Sequence, residues 1–226
     1  MKKYLEIMRK CPLFKDIEDT NILSILSCMG AKTETYKKGT TILGEGGPAK
    51  YVGIVLSGGV QIVRVDYYGN RSIVTILEPP HMFGESFACA EVKTMPVNVI
   101  ASEDSEIMLI DARRITTSCG NACEFHNQMI FNLLRIVAIK NLIFNQKIEI
   151  TSKRTTREKL MTYLLSVAKQ QGSNTFNIPY NRQQLADYLE VERSGLSSEI
   201  GKLKKDGVID CRKNVFSLKP MALNEQ

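Results

Sequence analysis

Between residues 36 and 111 the apolar positions fall into short runs cut at near-regular intervals. "TTIL", "YVGIVLSG", "VQIVRVDYY", "RSIVTILE", "VNVIASED" and "EIMLID" are rich in Val, Ile, Thr and Tyr and are separated by Gly, Asn and Pro. β-Branched and aromatic side chains suit a pleated, half-buried surface and the intervening residues suit turns. These runs therefore predict the strands of an antiparallel barrel or jelly roll. A hairpin is expected at "YYGNRS", because Gly69 and Asn70 tolerate the positive φ of a tight turn. The stretch "FGESFACAEVKTMPVNVIA", residues 83 to 101, reads as a strand end, a short turn and helix, and another strand, with Glu85 directly after Gly84.

From about residue 121 to 149 the punctuation stops. "NACEFHNQMIFNLLRIVAIKNLIFNQKIEI" contains no Gly or Pro, and Phe125, Met129, Leu133, Ile136, Lys140, Phe144 and Ile148 follow one another mostly in steps of three and four. That spacing predicts one long helix. Its opposite side carries Ile130, Leu134, Val137 and Ile143. One face can then lie on the barrel while another pairs with a second copy, so the helix predicts a homodimer. Phe125, Met129, Leu133, Ile136, Val137 and Phe144 are the candidate dimer residues.

After the polar, basic stretch "TSKRTTRE", read as a hinge, "KLMTYLLSVAKQQG" is an amphipathic helix stopped by Gly172. In "PYNRQQLADYLEVERSGLSSEIGKLKKDGVIDCRKNVFSL", Asn181 can cap a helix from Arg182 to Leu189, with Gln184 completing a capping box. A tight turn at "EVE" leads to a second helix from about Arg193 to Asp206 that buries Leu196, Ile200 and Leu203, and Gly207 ends it. "VIDCRKNVFSL" closes the module as two short strands around Arg212, Lys213 and Asn214. Helix, turn, helix and hairpin make a winged helix-turn-helix, whose second helix enters the major groove of duplex DNA. Arg193, Ser194, Ser197 and Ser198 are the candidate base-contacting residues. Arginine matches guanine O6 and N7, while serines discriminate less. Tyr180, Asn181, Arg182 and Gln183 at the start of the first helix, with Lys202, Arg212 and Lys213, are the candidate phosphate contacts.

Charge agrees with that reading. The chain of 226 residues carries a net charge of +6, and residues 151 to 226 hold 13 Lys and Arg against 8 Asp and Glu, so most of the surplus lies beside the winged module. No apolar run of about 18 residues is present to span a membrane, and the N-terminus lacks the ordered regions of a signal peptide. A cytoplasmic protein is expected. The six cysteines are scattered and only two histidines are present, so no metal site is expected.

The order barrel, long helix, winged helix-turn-helix resembles the CRP/FNR superfamily of bacterial transcription regulators over nearly the whole chain. "CPLFKDIEDTNILSIL" is similar to the family's helical lead-in, and "KKGTTILGEGGPAKYVGIVLSGGVQIVRVDYYGNRSIVTILEPPHMFGE" to its cyclic-nucleotide-binding-type barrel. "NRQQLADYLEVERSGLSSEIGKLKKDGVI" is similar to its DNA-reading helices. The resemblance implies an α+β fold with a sensor barrel at 1–120, a dimerisation helix at 121–150 and a DNA-binding domain at 151–226. It also implies an allosteric homodimer that binds a two-fold symmetric duplex site and recruits or blocks RNA polymerase.

Departures from the family pattern limit what the barrel holds. Members that bind cyclic AMP follow Gly-Glu, about ten residues later, with an Arg-Ser pair that neutralises the phosphate; Met95 and Pro96 stand there in this chain. Burying a phosphate without a cation is costly, so a cyclic nucleotide is not the expected effector. Only Cys11 lies where oxygen sensors carry a cysteine cluster, and His81 alone is a poor haem anchor, so no cofactor is expected. Thiol switching at Cys89 or at the Cys119–Cys123 pair stays open, as does a haem sensor. Otherwise Tyr67, Phe83, Gly84, Glu85, Phe87, Cys89, Met95, Val97, Met129 and Leu133, with Tyr68 and Val99, either line a largely apolar effector pocket or simply fill the core. In the reading helix Ser194 and Ser198 replace a glutamate and an arginine of well-studied members, which implies a different half-site. An enzyme's regulatory subunit would have an intact phosphate arginine and no DNA module, and a DNA-modifying enzyme would show a catalytic constellation; the chain has neither pattern.

Overall fold

The computed structural model describes residues 2–65, 67, 68, 71–117 and 124–219. It separates into two compact units, residues 1–140 and 141–226. The first opens with helices α1 (Leu5–Lys10) and α2 (Asp19–Cys28). Strands β1 (Lys32–Tyr36), β2 (Thr41–Leu43), β3 (Tyr51–Ser57), β4 (Val60–Val65), β5 (Arg71–Leu77) and β6 (Met82–Phe83) follow. Then come α3 (Glu85–Cys89), β7 (Asn98–Ala101), β8 (Ser105–Asp111) and α4 (Ala112–Thr116). The strands form two antiparallel four-stranded sheets, in the orders β1-β8-β3-β6 and β2-β7-β4-β5. Val55, Val60, Phe83, Met95, Val97, Val99 and Ile107 pack together in one core of this unit, while a second core joins α1 and α2 to β3, β8 and α4.

From the sequence no strand is expected at β1 or at Thr175–Asn177, and β6 is anticipated only as a strand end at Phe83. In β1 the sequence "KTETY" is exposed along most of its length, as an edge strand pairing only with β8 permits, and β6 is two residues long. The expected Gly69–Asn70 turn lies outside the described residues, as does the Cys119–Cys123 pair.

Helix α5 runs from Glu124 to Thr151. Within the first unit, Met129 and Leu133 are buried with Ala88, and Asn132 donates its Nδ2 hydrogens to the carbonyls of Leu13 (3.0 Å) and Lys15 (2.8 Å). Two of the six candidate dimer residues are thereby excluded from an interface. Met129 and Leu133 are consumed by their own unit, and Phe125, Ile136 and Val137 pack partly against it. The other side of α5 is left bare: Phe131, Leu134 and Leu142 are 59%, 65% and 68% exposed. Phe144 is exposed as well.

The second unit contains the end of α5, α6 (Thr156–Gln171), β9 (Thr175–Asn177), α7 (Arg182–Leu189), α8 (Arg193–Lys205), β10 (Ile209–Arg212) and β11 (Val215–Leu218). Its core gathers Leu160, Leu164, Phe176, Leu185, Leu189, Leu196, Ile200, Leu203 and Phe216, so each helix contributes the apolar stripe that its periodicity announces. Ile150, near the end of α5, is buried in the same core.

Candidate nucleic-acid interface and barrel site

Helix α7 starts at the position expected. Asn181 Oδ1 accepts from the Gln184 backbone N–H at 2.9 Å, and Gln184 Oε1 accepts from the Asn181 N–H at 2.9 Å. The amide oxygen of Asn181 is therefore committed to the cap, and only its Nδ2 remains for a phosphate. Between the helices Glu190 adopts φ 54, the left-handed end of α7. Three residues later Arg193 begins α8. Gly207, at φ 70, follows α8, where a left-handed residue is needed and glycine carries no steric penalty.

Leu196, Ile200 and Leu203 anchor one face of α8 in the core. The face turned away from them carries Ser194, Ser197, Ser198 and Gly201, all exposed. A Cβ added at Gly195 or Gly201 would meet nothing within 4 Å. This smooth, small-residue face lets a helix backbone approach the floor of a groove closely. Gly201 was not singled out from the sequence, although its place one turn past Ser197 and Ser198 signals it. At the front of the helix Arg193 is exposed and, among the described residues, its side chain makes no hydrogen bond or ion pair. Its guanidinium is free to find an external acceptor.

The expected phosphate contacts divide by what they touch. Arg212 and Lys213 are exposed in the β10–β11 turn. Gln183 is exposed but donates to Asp187 at 2.8 Å. Arg182 lies 5.8 Å from the ring centroid of the buried Phe216, holding the start of α7 against the wing strand. Lys202 pairs with Glu199 at 3.4 Å, an exposed contact weak enough to exchange for a phosphate. Tyr180 is half-buried and stacks on Tyr188 with centroids 4.9 Å apart, so its ring supports α7 from below. Lys204 bridges Asp210 (3.1 Å) and the Cys211 carbonyl (3.0 Å), fastening α8 to the wing.

In the barrel unit, Gly84 has φ 79 and stands where an added Cβ would come 2.6 Å from the Tyr51 carbonyl. Only glycine fits that approach. Glu85 is then delivered into the interior, 2% exposed. Its Oε1 meets Lys140 Nζ at 2.5 Å and accepts from Ser86 Oγ at 3.2 Å, while Oε2 is buried without a partner among the described residues. In the sequence Lys140 occupies one position of an apolar stripe, and a lysine in such a stripe is itself the signal of a buried counter-charge.

The residues named either as an effector wall or as core filling divide between two cores and the surface. Phe83, Met95, Val97 and Val99 are at most 3% exposed and fill the core of the barrel unit. Phe83 sits over Gly53, where an added Cβ would come 2.1 Å from its ring. Met129 and Leu133 belong to the other core of the unit, Phe87 and Cys89 are half-buried, and Tyr67 and Tyr68 are 97% and 85% exposed. Met95 is locked further by its backbone, donating to the Gly47 carbonyl at 2.8 Å and accepting from Gly46 at 2.9 Å. A cleft of about 510 Å³ opens elsewhere on this unit, lined by residues including Lys32, Glu34, Leu43, Tyr51, Asp111 and Arg114. His81 is exposed in its turn. Among the described residues no three His, Cys, Asp or Glu side chains gather as metal ligands, and no helix is long and apolar enough to cross a membrane.

Comparison with known proteins agrees with both halves. Residues 33–119 match the cyclic nucleotide-binding domain family, and residues 158–226 match the Crp-like helix-turn-helix domain family. The chain belongs to the CRP/FNR family of transcription regulators. It is 24% identical over 184 residues to the transcriptional activator protein FnrL of Cereibacter sphaeroides, covering 77% of this chain and 71% of that protein. The catabolite activator protein of Thermus thermophilus shares the fold with a TM-score of 0.55 at 21% identity, over 94% of this chain and 95% of that one. The c-di-GMP responsive global regulator CLP of Xanthomonas campestris has a TM-score of 0.55 at 17% identity, over 89% and 99% of the two chains. The CRP/FNR assignment explains why a jelly roll, a long helix and a winged helix-turn-helix occur in this order.

Proposed function

We propose that this CRP/FNR regulator acts in the cytoplasm as a homodimer that reads a two-fold symmetric duplex site. It does not catalyse a reaction. Arg193, Ser194, Ser197 and Ser198 contact bases, and Arg182, Gln183, Lys202, Arg212 and Lys213 contact phosphates, with Tyr180 and Asn181 shaping the end of α7 that faces the backbone. The observation that carries the reading is the unpaired Arg193 at the front of a helix whose small-residue face is bare and whose other face is buried in its own core. Two copies meet along the exposed stripe of α5, and the bound dimer acts on RNA polymerase.

The barrel is not tuned to a cyclic nucleotide. Supporting this, Met95 is buried in the core where a phosphate-neutralising arginine would be required, and Lys140 answers the charge of Glu85. Any diffusible effector of this sensor barrel therefore differs from cyclic AMP. Selection of bound duplexes from a randomised pool, run with and without cyclic AMP, tests the proposal. One two-fold symmetric site, the same in both runs, is expected. Absence of enrichment would refute DNA reading, and enrichment only with cyclic AMP would refute the effector assignment.

A further inference from the structure

The turn between α7 and α8 sets the direction in which the reading helix departs, and it is held from outside the motif. Glu190 carries a Cβ in the left-handed region, a sparsely populated conformation that its surroundings must enforce. Lys147 of α5 donates to the Tyr188 carbonyl, one of the last of α7 and without an intrahelical partner. The same ammonium lies 4.3 Å from the Tyr188 ring centroid and 3.5 Å from Glu190 Oε1. A cation is favoured there for a further reason, since the carbonyl end of a helix carries partial negative charge. Lys159 of α6 reaches the Glu190 carbonyl at 3.4 Å from another side.

The end of α5 is itself fixed within this unit. Gln146 donates to Ser166 Oγ at 2.9 Å, and Ile150 is buried. Tyr163 and Tyr180 flank Tyr188 at 5.3 and 4.9 Å, so the aromatic group under α7 touches both of its ends. The polar stretch at 151–155 therefore follows residues already bound into the DNA-reading unit. This places the end of α5 where the sequence alone suggested a hinge.

We infer that Lys147 is a positioning residue for DNA reading: it caps α7 and pins the Glu190 turn, so that α8 presents Arg193 in one direction. The inference rests on α8 being the reading helix. Because Lys147 belongs to α5, a displacement of the end of that helix reaches the turn directly through this ammonium, in addition to its effect on the core at Ile150.

The test compares the full chain with Lys147→Met, which keeps the stem over Tyr188 but loses donor and charge, and with Lys147→Arg, which keeps both. Affinity is measured by fluorescence anisotropy on the selected duplex and on an unrelated duplex across a range of salt. Lys147→Met is expected to lose about tenfold on the selected duplex alone, with an unchanged salt slope. Lys147→Arg is expected to return within about twofold of wild type, because a guanidinium donates to a carbonyl and stacks on a ring. Equal losses on both duplexes with a shallower salt slope would make Lys147 a phosphate contact and overturn the inference, as would an unchanged affinity. If Lys147→Met does not fold, Glu190→Gln alters only an exposed carboxylate: a loss of about threefold confined to the selected duplex is expected, and no loss contradicts the inference. A wild-type protein that prefers no duplex over unrelated DNA would refute the reading-helix assignment instead.

Discussion

Lys140 Nζ lies 2.5 Å from Glu85 Oε1, joining α5 to the first residue of α3 inside the barrel unit. The Glu85 side chain is 3% exposed and that of Lys140 38%, so removing the lysine strands a buried carboxylate, whereas removing the carboxylate leaves a lysine that can still reach water.

Lys140→Met is therefore expected to destabilise the first unit by about 2 kcal/mol, less than for a fully buried pair because the lysine end is partly hydrated. Glu85→Gln is expected to cost less, and the double variant no more than Lys140→Met alone. Urea unfolding midpoints check the ordering. Equal stability of Lys140→Met and wild type would show that the pair contributes nothing.

Phe131, Leu134, Ala138 and Leu142 follow one another in steps of three and four on the bare side of α5. If the proposed dimer forms along this stripe, a Leu134→Glu, Leu142→Glu double variant is expected to sediment as a folded monomer and the wild type at twice that mass. Met129→Ala, on the buried side, is expected to lower stability by about 2 to 4 kcal/mol and leave the dimer intact. Analytical ultracentrifugation together with unfolding curves separates the two outcomes. Dissociation by Met129→Ala and not by the double variant would place the interface on the wrong face.

Much of the architecture could be read in advance because local signals and burial agree. The Asn181–Gln184 capping box, the stop at Gly207 and the start of α8 at Arg193 are all present where their chemistry places them. Helix α5 was harder. Both of its sides are apolar, and periodicity finds a stripe without saying which stripe meets the barrel. The Glu85–Lys140 pair escaped because its partners are 55 residues apart. Whether these residues form an effector wall or fill the core stays open in the sequence for a related reason: Phe83, Met95 and Val97 have the same composition in either case, and only the fold shows them packed with Val55 and Ile107 and, for Phe83, over Gly53.

Burial pushes the Cys11 thiol up to about 11, and burial together with the nearby Glu85 carboxylate raises Cys89. The thiolate is the reactive form, so both are mostly unreactive thiols at neutral pH. Reactivity of Cys11 should increase as pH climbs toward about 11 and stay low below it. In native protein at pH 7.5, iodoacetamide is expected to modify the exposed Cys28 well before Cys11, with Cys89 slower than Cys28, as read by peptide mass spectrometry. Rapid modification of Cys89 would contradict this ordering and favour thiol switching in this barrel.

The proposed base reading rests on Arg193 at the front of α8. The most direct measurement is the affinity of Arg193→Ala, beside wild type, for the selected duplex and for each of its single-base variants at several salt concentrations. The expected result is a loss of about 1 to 3 kcal/mol on the selected duplex, with discrimination relaxed at one base pair in each half-site and kept elsewhere. A loss spread evenly over every sequence, with a shallower salt slope, would show that Arg193 contacts phosphate and that α8 does not read bases where this structure places it.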